Sequence, residues 1–232
     1  MDKPVDLLAF GPHPDDIEIG IGGVVAKEAR SGRRVGLCDL TRGELGSNGT
    51  VAERLAEAAA AADLLGAAWR QNLEWPDGEI GGPDQVRSAV ECLRRCRPAT
   101  VLIPHWEDRH PDHVAASHLL TQAVFKSGLR RYSAAGEPWR PGWVCYYFIN
   151  ERSTPSFVVD VSDEYEVKRQ ALDCHRSQFS PEGAEAVSTR LTTSRFRQLI
   201  ETRDAGFGVS VGVAFAEGFV VKQPILRSDV MK

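Results

Sequence analysis

The regular alternation of strand-like and helix-like stretches over the first half of the chain constrains its fold more than any other feature. Residues 5–11 (VDLLAFG) read as a buried strand, 17–32 as a helix ended by Gly32, 33–40 as a second strand and 51–67 as an alanine-rich helix. Residues 67–74 read as a third strand, 83–98 as a helix with Pro83 near its first turn, 99–105 as a fourth strand and 112–128 as a helix. Strands joined by helices through short connections form a parallel sheet with helices on both faces. The expectation is an α/β, Rossmann-like fold, in which ligands bind beyond the carboxyl ends of the strands. After Gly128 the pattern loosens, with strands expected at 143–149, 156–161 and 212–221 and helices at 163–179 and 193–205. No repeat, low-complexity tract or linker divides the chain, so one domain over 1–232 is expected, regular to 128 and less so from 129.

Charge and composition remove several function classes. Lys and Arg number 28 against 32 Asp and Glu, a formal charge of −4 with no basic block, so nucleic acid is not an expected partner. No apolar run approaches the roughly 18 residues of a membrane span, and the opening MDKPVDLLAF is too short and too charged for a leader. Five cysteines, an odd count with no C-x-x-C, fit free thiols in a reducing, cytoplasmic setting.

The parallel-sheet reading places four polar loops on one rim: His13-Pro14-Asp15-Asp16 after the first strand, Thr41 to Thr50 after the second, Trp75 to Gly78 after the third and His105 to His113 after the fourth. His13 and Asp16 are three apart at a strand-to-helix turn and can meet one metal ion. A second cluster, His110, Asp112 and His113, comes about a hundred residues later. Two His and one Asp from these segments make a zinc-type catalytic site, with three protein ligands and an open position for water. Iron, cobalt or manganese suit the same donors. A single His-Pro-Asp would also serve as a helix N-cap; two clusters on one rim favour the metal.

Roles for the remaining groups follow conditionally. If Asp16 is a ligand, Asp15 is free to take a proton from water activated by the ion. If His113 is a ligand, His110 is free, and in its protonated form could hold an oxyanion. Asp112 either orients a histidine or caps the following helix. The glycines of GIGG (20–23) do not make G-x-G-x-x-G and lie inside the helix, and only Asp39 stands near the end of strand two, so a dinucleotide site is not expected. Close packing of that helix on the sheet is. A pure binding module would have no use for Asp15.

GPHPDDIEIG together with DRHPDH resembles the PIG-L (LmbE-like) family of zinc-dependent N-acetylglucosamine deacetylases. Pro12 replaces the usual small residue of the family's A-H-P-D-D motif, and the second motif is similar to its H-x-x-H. CDLTRGELGSNGT, ERLAEA and PDG at 76–78 resemble the family too, so that the likeness covers nearly the whole chain. LTRGELGSNGT, EDRHPDH, SQFSPEG and AEGFVVKQP look like its short bacillithiol-pathway branch, which removes acetate from N-acetylglucosaminyl-malate.

The resemblance implies that His13, Asp16 and His113 bind zinc, that Asp15 is the general base, and that His110 steadies the oxyanion and later protonates the amine. It implies substrate contacts from Arg54, from Arg109 to the malate carboxylate and from Asp77 to a sugar hydroxyl. It further implies a small amino-sugar substrate and a homo-oligomer, in some members a hexamer. Alternatives from the residues alone are a surface pair of Arg109 with Glu107 or Asp108, and of Arg54 with Glu53 or Glu57. His105 and His118 read as structural. His175 and Gln178 either reach the pocket or end a solvated helix, and Ser47 and Asn48 shape the second loop. Another N-acylated amino sugar or a thiol conjugate is the competing substrate class.

Overall fold

The computed structural model describes residues 4–184, 186–226 and 228–229. Met1 to Lys3, the start of the segment read above for a leader, lie outside them. Strands β1 (Leu7–Gly11), β2 (Val35–Thr41), β3 (Trp69–Trp75), β4 (Thr100–Pro104), β5 (Trp143–Tyr147), β6 (Phe157–Asp160) and β7 (Ala216–Val220) form one sheet in the order β3-β2-β1-β4-β5-β7-β6. The pairs β3-β2, β2-β1, β1-β4 and β4-β5 are parallel; β7 is antiparallel to both β5 and β6. Helices are α1 (Asp16–Arg30), α2 (Val51–Leu65), α3 (Pro83–Cys96), α4 (Pro111–Ser127), α5 (Tyr165–Cys174), α6 (Arg176–Phe179) and α7 (Ser194–Val211).

Strand alternation sorts the core into two faces. Leu7 and Ala9 of β1 pack with α1, α2, α5 and α7, whereas Leu8 and Phe10 pack with α3 and α4. The expected α/β, Rossmann-like fold with helices on both faces is thus present. One expected helix, 163–179, is instead a 3-10 turn at Ser162–Glu164 followed by α5 and α6, broken at His175. The expected 193–205 helix runs on to Val211. All five cysteines are free, and among the described residues no helix is long and apolar enough to cross a membrane.

Two features of this fold make the site. Beside β1 the strand order turns from β2 on one side to β4 on the other, and the helices that follow, α1 and α4, pack on opposite faces. The loops after β1 and β4 therefore splay apart and leave a crevice at the switch point. The second feature is the approach of α1. A Cβ on Gly20 would stand inside the ring of Tyr147 on β5, and one on Gly23 would strike Val161. Residue Ile21 breaks the helical geometry of α1 (φ −144°, ψ 23°). Groups from the far end of the chain take up what the kink leaves open. Arg203 donates to the Ile19 carbonyl at 2.6 Å, and Glu217 accepts from the Gly23 and Val24 amides at 2.9 and 2.7 Å. Lys168 closes a buried charge cluster with Glu217 and Asp204, both at 2.7 Å.

Candidate active site

A pocket of about 420 Å³ opens at the switch point, lined by His13, Asp15, Asp16, Arg54, Asp77, Arg109, His110, Asp112 and His113. All eight residues expected from the sequence as ligands, catalytic groups or substrate contacts line it, with Asp112 beside them. The less regular half adds Ile149, Leu191 and Phe196 to the lining, together with the polar Asn150, Gln178 and Thr189.

The turn after β1 presents its side chains without capping the helix. Asp15 stands at the N-cap of α1 and makes no side-chain cap bond, while Asp16 Oδ2 accepts from the His13 amide at 2.8 Å. That same oxygen lies 3.0 Å from His13 Nδ1 and 3.3 Å from His113 Nε2. Donor atoms of His13, Asp16 and His113 fall within 4.8 Å of one another. Burial works against charge on Asp16, but His113 and His13 hold its carboxyl well below the usual carboxylate range. Against the same cost of burial, Asp16 and Asp108 raise His113 to about 9. A divalent cation would replace the protons that these groups share.

The far nitrogen of each histidine is held by a carboxylate. His113 Nδ1 lies 3.1 Å from Asp108 Oδ1, and Asp108 in turn accepts from the Asn150 amide and side chain, both at 3.0 Å. His13 Nε2 lies 3.0 Å from Asp77 Oδ1 and 3.2 Å from Asp112 Oδ2. Such carboxylates fix the tautomer and leave the near nitrogen's lone pair for a metal. Two imidazoles and one carboxylate, oriented in this way, fit a divalent ion of borderline character. Of the two roles open for Asp112 in the sequence, the structure shows the orienting one, because the cap of α4 is His110, whose Nδ1 accepts from the Asp112 amide at 3.2 Å.

This cap differs in one particular from the protonated His110 expected above. Accepting at Nδ1 places the ring proton on Nε2, and burial, with His113 and His13 nearby, pushes the imidazolium form down. His110 is a neutral Nε2–H donor, stacked on His113 with ring centroids 4.7 Å apart.

Asp15 is buried beside the cluster and bonded to neither His13 nor His113. Burial pushes its carboxyl up to about 6, with Arg54 pulling down and Asp16 pushing up. Arg54 makes no surface pair. It turns inward from the first turns of α2, placing Nη2 3.4 Å from Asp15 Oδ2 and donating from Nη1 to the Gly43 carbonyl at 2.7 Å. The acidic neighbours are committed elsewhere, Glu53 to a capping box with Thr50 and Glu57 to Ser177. Arg109 is exposed at the pocket and makes no ion pair among the described residues, Asp108 being taken by His113 and Asn150. Asp77 accepts from the Leu45 amide at 3.0 Å with Oδ2 while Oδ1 faces His13.

Other expected residues are placed as follows. His105 is buried and stacked on Trp106, and His118 is exposed. His175 is fully buried, 3.3 Å from Glu18 Oε2, and does not line the pocket. Gln178 does line it and donates to the Asn48 carbonyl at 2.7 Å. The Asn48 side chain clasps the Val187 backbone twice, both bonds at 2.8 Å. Asp39 is spent on Arg70 at 2.7 Å. Sequence reasoning missed Asp108 as the partner of His113, although it stands five residues before it in the same motif. It also missed Asn150, Leu191 and Phe196, which carry no motif at all.

Comparisons with known proteins identify the family. Residues 8–124 match the PIG-L family, described as GlcNAc-PI de-N-acetylase. A diacetylchitobiose deacetylase of Thermococcus kodakarensis is 32% identical over 228 residues, covering 91% of this chain and 83% of that one. A 1D-myo-inositol 2-acetamido-2-deoxy-alpha-D-glucopyranoside deacetylase of Rhodococcus erythropolis is 32% identical over 63% of this chain and 62% of its own. Among solved structures, the conserved protein TT1542 from Thermus thermophilus superposes with a TM-score of 0.89 at 38% identity, covering 98% of this chain and 99% of that one. Neither named deacetylase is one for the malate conjugate expected from the motifs. The chain belongs to the PIG-L family and is a deacetylase of N-acetylglucosamine-type substrates.

Proposed function

We propose that the chain is a divalent-metal N-deacetylase that acts on N-acetylglucosaminyl-malate, as in bacillithiol biosynthesis. The observation that carries the chemistry is the convergence of His13, Asp16 and His113 within 4.8 Å beside the buried carboxylate of Asp15. Zinc, or iron(II) in its place, would be held by those three residues and would supply a polarised amide carbonyl and a water acidic enough to ionise near neutral pH. Asp15 takes the proton of the attacking water, and Arg54 favours its ionised form. The Nε2–H of His110 donates to the carbonyl oxygen as charge gathers there. A neutral imidazole has no proton to spare for the departing amine, so Asp15, having just received one, returns it. Acetate and a free amino sugar result.

Support for an acidic aglycone is Arg109, an exposed guanidinium on the pocket wall with no ion pair among the described residues. Its fork suits a carboxylate. The second reading, a chitooligosaccharide substrate, is favoured by the likeness to the Thermococcus enzyme over 91% of the chain. Acetate release from N-acetylglucosaminyl-malate and from diacetylchitobiose separates the two. The malate conjugate is expected to turn over faster, and Arg109→Ala is expected to raise KM for it about tenfold while leaving the chitobiose KM unchanged. Faster turnover of diacetylchitobiose would give the site to the second reading. A homo-oligomer, the hexamer included, is part of the same proposal and is read by light scattering.

A further inference from the structure

Asp77 was expected to hold a sugar hydroxyl, yet both of its oxygens are engaged inside the protein. Oδ1 faces His13 Nε2 at 3.0 Å and Oδ2 accepts from the Leu45 amide at 3.0 Å. Its own amide donates to Glu44 Oε1 at 3.1 Å, and the next amide, Gly78, donates to Asp112 Oδ2 at 3.0 Å. The turn after β3 thus lies between two parts of the site: the ligand His13 on one side, and on the other the loop after β2, whose Leu45, Gly46 and Ser47 wall the pocket.

We infer that Asp77 is a positioning residue for His13, and that its bridge from His13 to Leu45 makes metal retention and the order of the 43–47 loop depend on each other. The inference rests on the metal reading above. An imidazole whose far N–H is gripped by a carboxylate is held in one tautomer and one orientation, and loss of such a grip typically weakens metal binding about 10–100-fold. Asp112 shares His13 Nε2, but at 3.2 Å and with the same oxygen that serves Gly78, so it replaces Asp77 only in part. The coupling must be reciprocal: whatever the loop contributes to metal affinity, the metal contributes to loop order.

The test uses the whole chain with zinc as the probe. Zinc affinity is measured by competition with a chromophoric chelator, and hydrogen exchange of the 43–47 amides is followed with and without zinc, for wild type, Asp77→Ala and Asp77→Asn. Wild type is expected to bind one zinc and to slow exchange at Leu45 on binding. Asp77→Ala is expected to bind zinc about 10–100-fold more weakly. Both variants are expected to lose the zinc-dependent protection of Leu45, because an asparagine can accept from only one of the two donors. Should the alanine variant not fold, the exchange behaviour of the asparagine variant decides alone. Wild-type zinc affinity and intact protection in the variants, with only KM raised, would make Asp77 a sugar contact and overturn the inference. A wild type that takes up no zinc would remove the metal reading itself, a distinguishable failure.

Discussion

Asp15 and Asp16 are adjacent carboxylates with opposite fates. Asp16 lies against two histidines that hold its charge, while Asp15 is buried with a single arginine at 3.4 Å and is pushed up to about 6. The pair therefore divides into a group that stays ionised and a group that can carry a proton near neutrality. Asp15→Asn is expected to retain about one equivalent of zinc while kcat falls roughly 10²–10⁴-fold. His113→Ala is expected to lose the metal. Elemental analysis beside acetate release checks both, and full turnover in the first or full zinc in the second would reject the assignment. At this scale the sequence was informative wherever motif and topology coincided: spacing and the rim rule brought the His13–Asp16 turn together with the cluster of His110, Asp112 and His113, and the choice of His113 as the third ligand came from the family resemblance. The direction of Arg54 could not, since a helix-surface arginine and an inward one have the same neighbours in sequence. The neutral state of His110 was equally hidden, because it depends on an amide, that of Asp112, bonding to Nδ1.

Among the elements, α1 carries the most. It presents Asp16 at its first residue, reaches the sheet through Gly20 and is broken at Ile21. The glycines were legible as a close-packing surface. The kink was not, because its partners, Arg203 and Glu217, lie 184 to 194 residues away. The break at His175 was missed for a related reason: burial beside Glu18 outweighs helical continuity there, and no turn residue announces it. Packing gives a direct test. Gly20→Ala places a methyl group in the Tyr147 ring and is expected to cost roughly 1–3 kcal/mol in urea unfolding. Gly81→Ala, where a Cβ meets nothing within 4 Å, is expected to be near neutral. Equal effects at the two positions would refute the close approach as the reason for the glycine.

For the molecule as a whole, the sheet order was the part the sequence could not supply. Alternation predicts parallel strands and a common rim, but not that β4 inserts beside β1 and so sets the crevice between their loops. Nor does it predict that charge is buried beneath that rim. Arg70 pairs with Glu18 at 2.5 Å and with Asp39 at 2.7 Å, all three buried. Despite burial, Arg70 and His175 depress the Glu18 carboxyl to about 2, so Glu18 stabilises the fold above its unfolded value near 4.5 and loses that contribution as pH falls toward 2. Asp39, raised by burial against the same guanidinium, offsets part of this. Glu18→Gln is expected to destabilise the protein by roughly 3–5 kcal/mol at pH 7. The gap from wild type is expected to narrow as pH falls from 4.5 toward 2, as wild-type Glu18 takes up its proton; a gap constant with pH would reject the pairing. The antiparallel strand β7 has a consequence of a different kind. It enters between β5 and β6 and brings the carboxylate that receives the α1 amides. During synthesis the ribosome releases the turn at residues 13–16 some 200 residues before Glu217. The nascent chain therefore carries this turn long before it can seat the helix that aims its side chains.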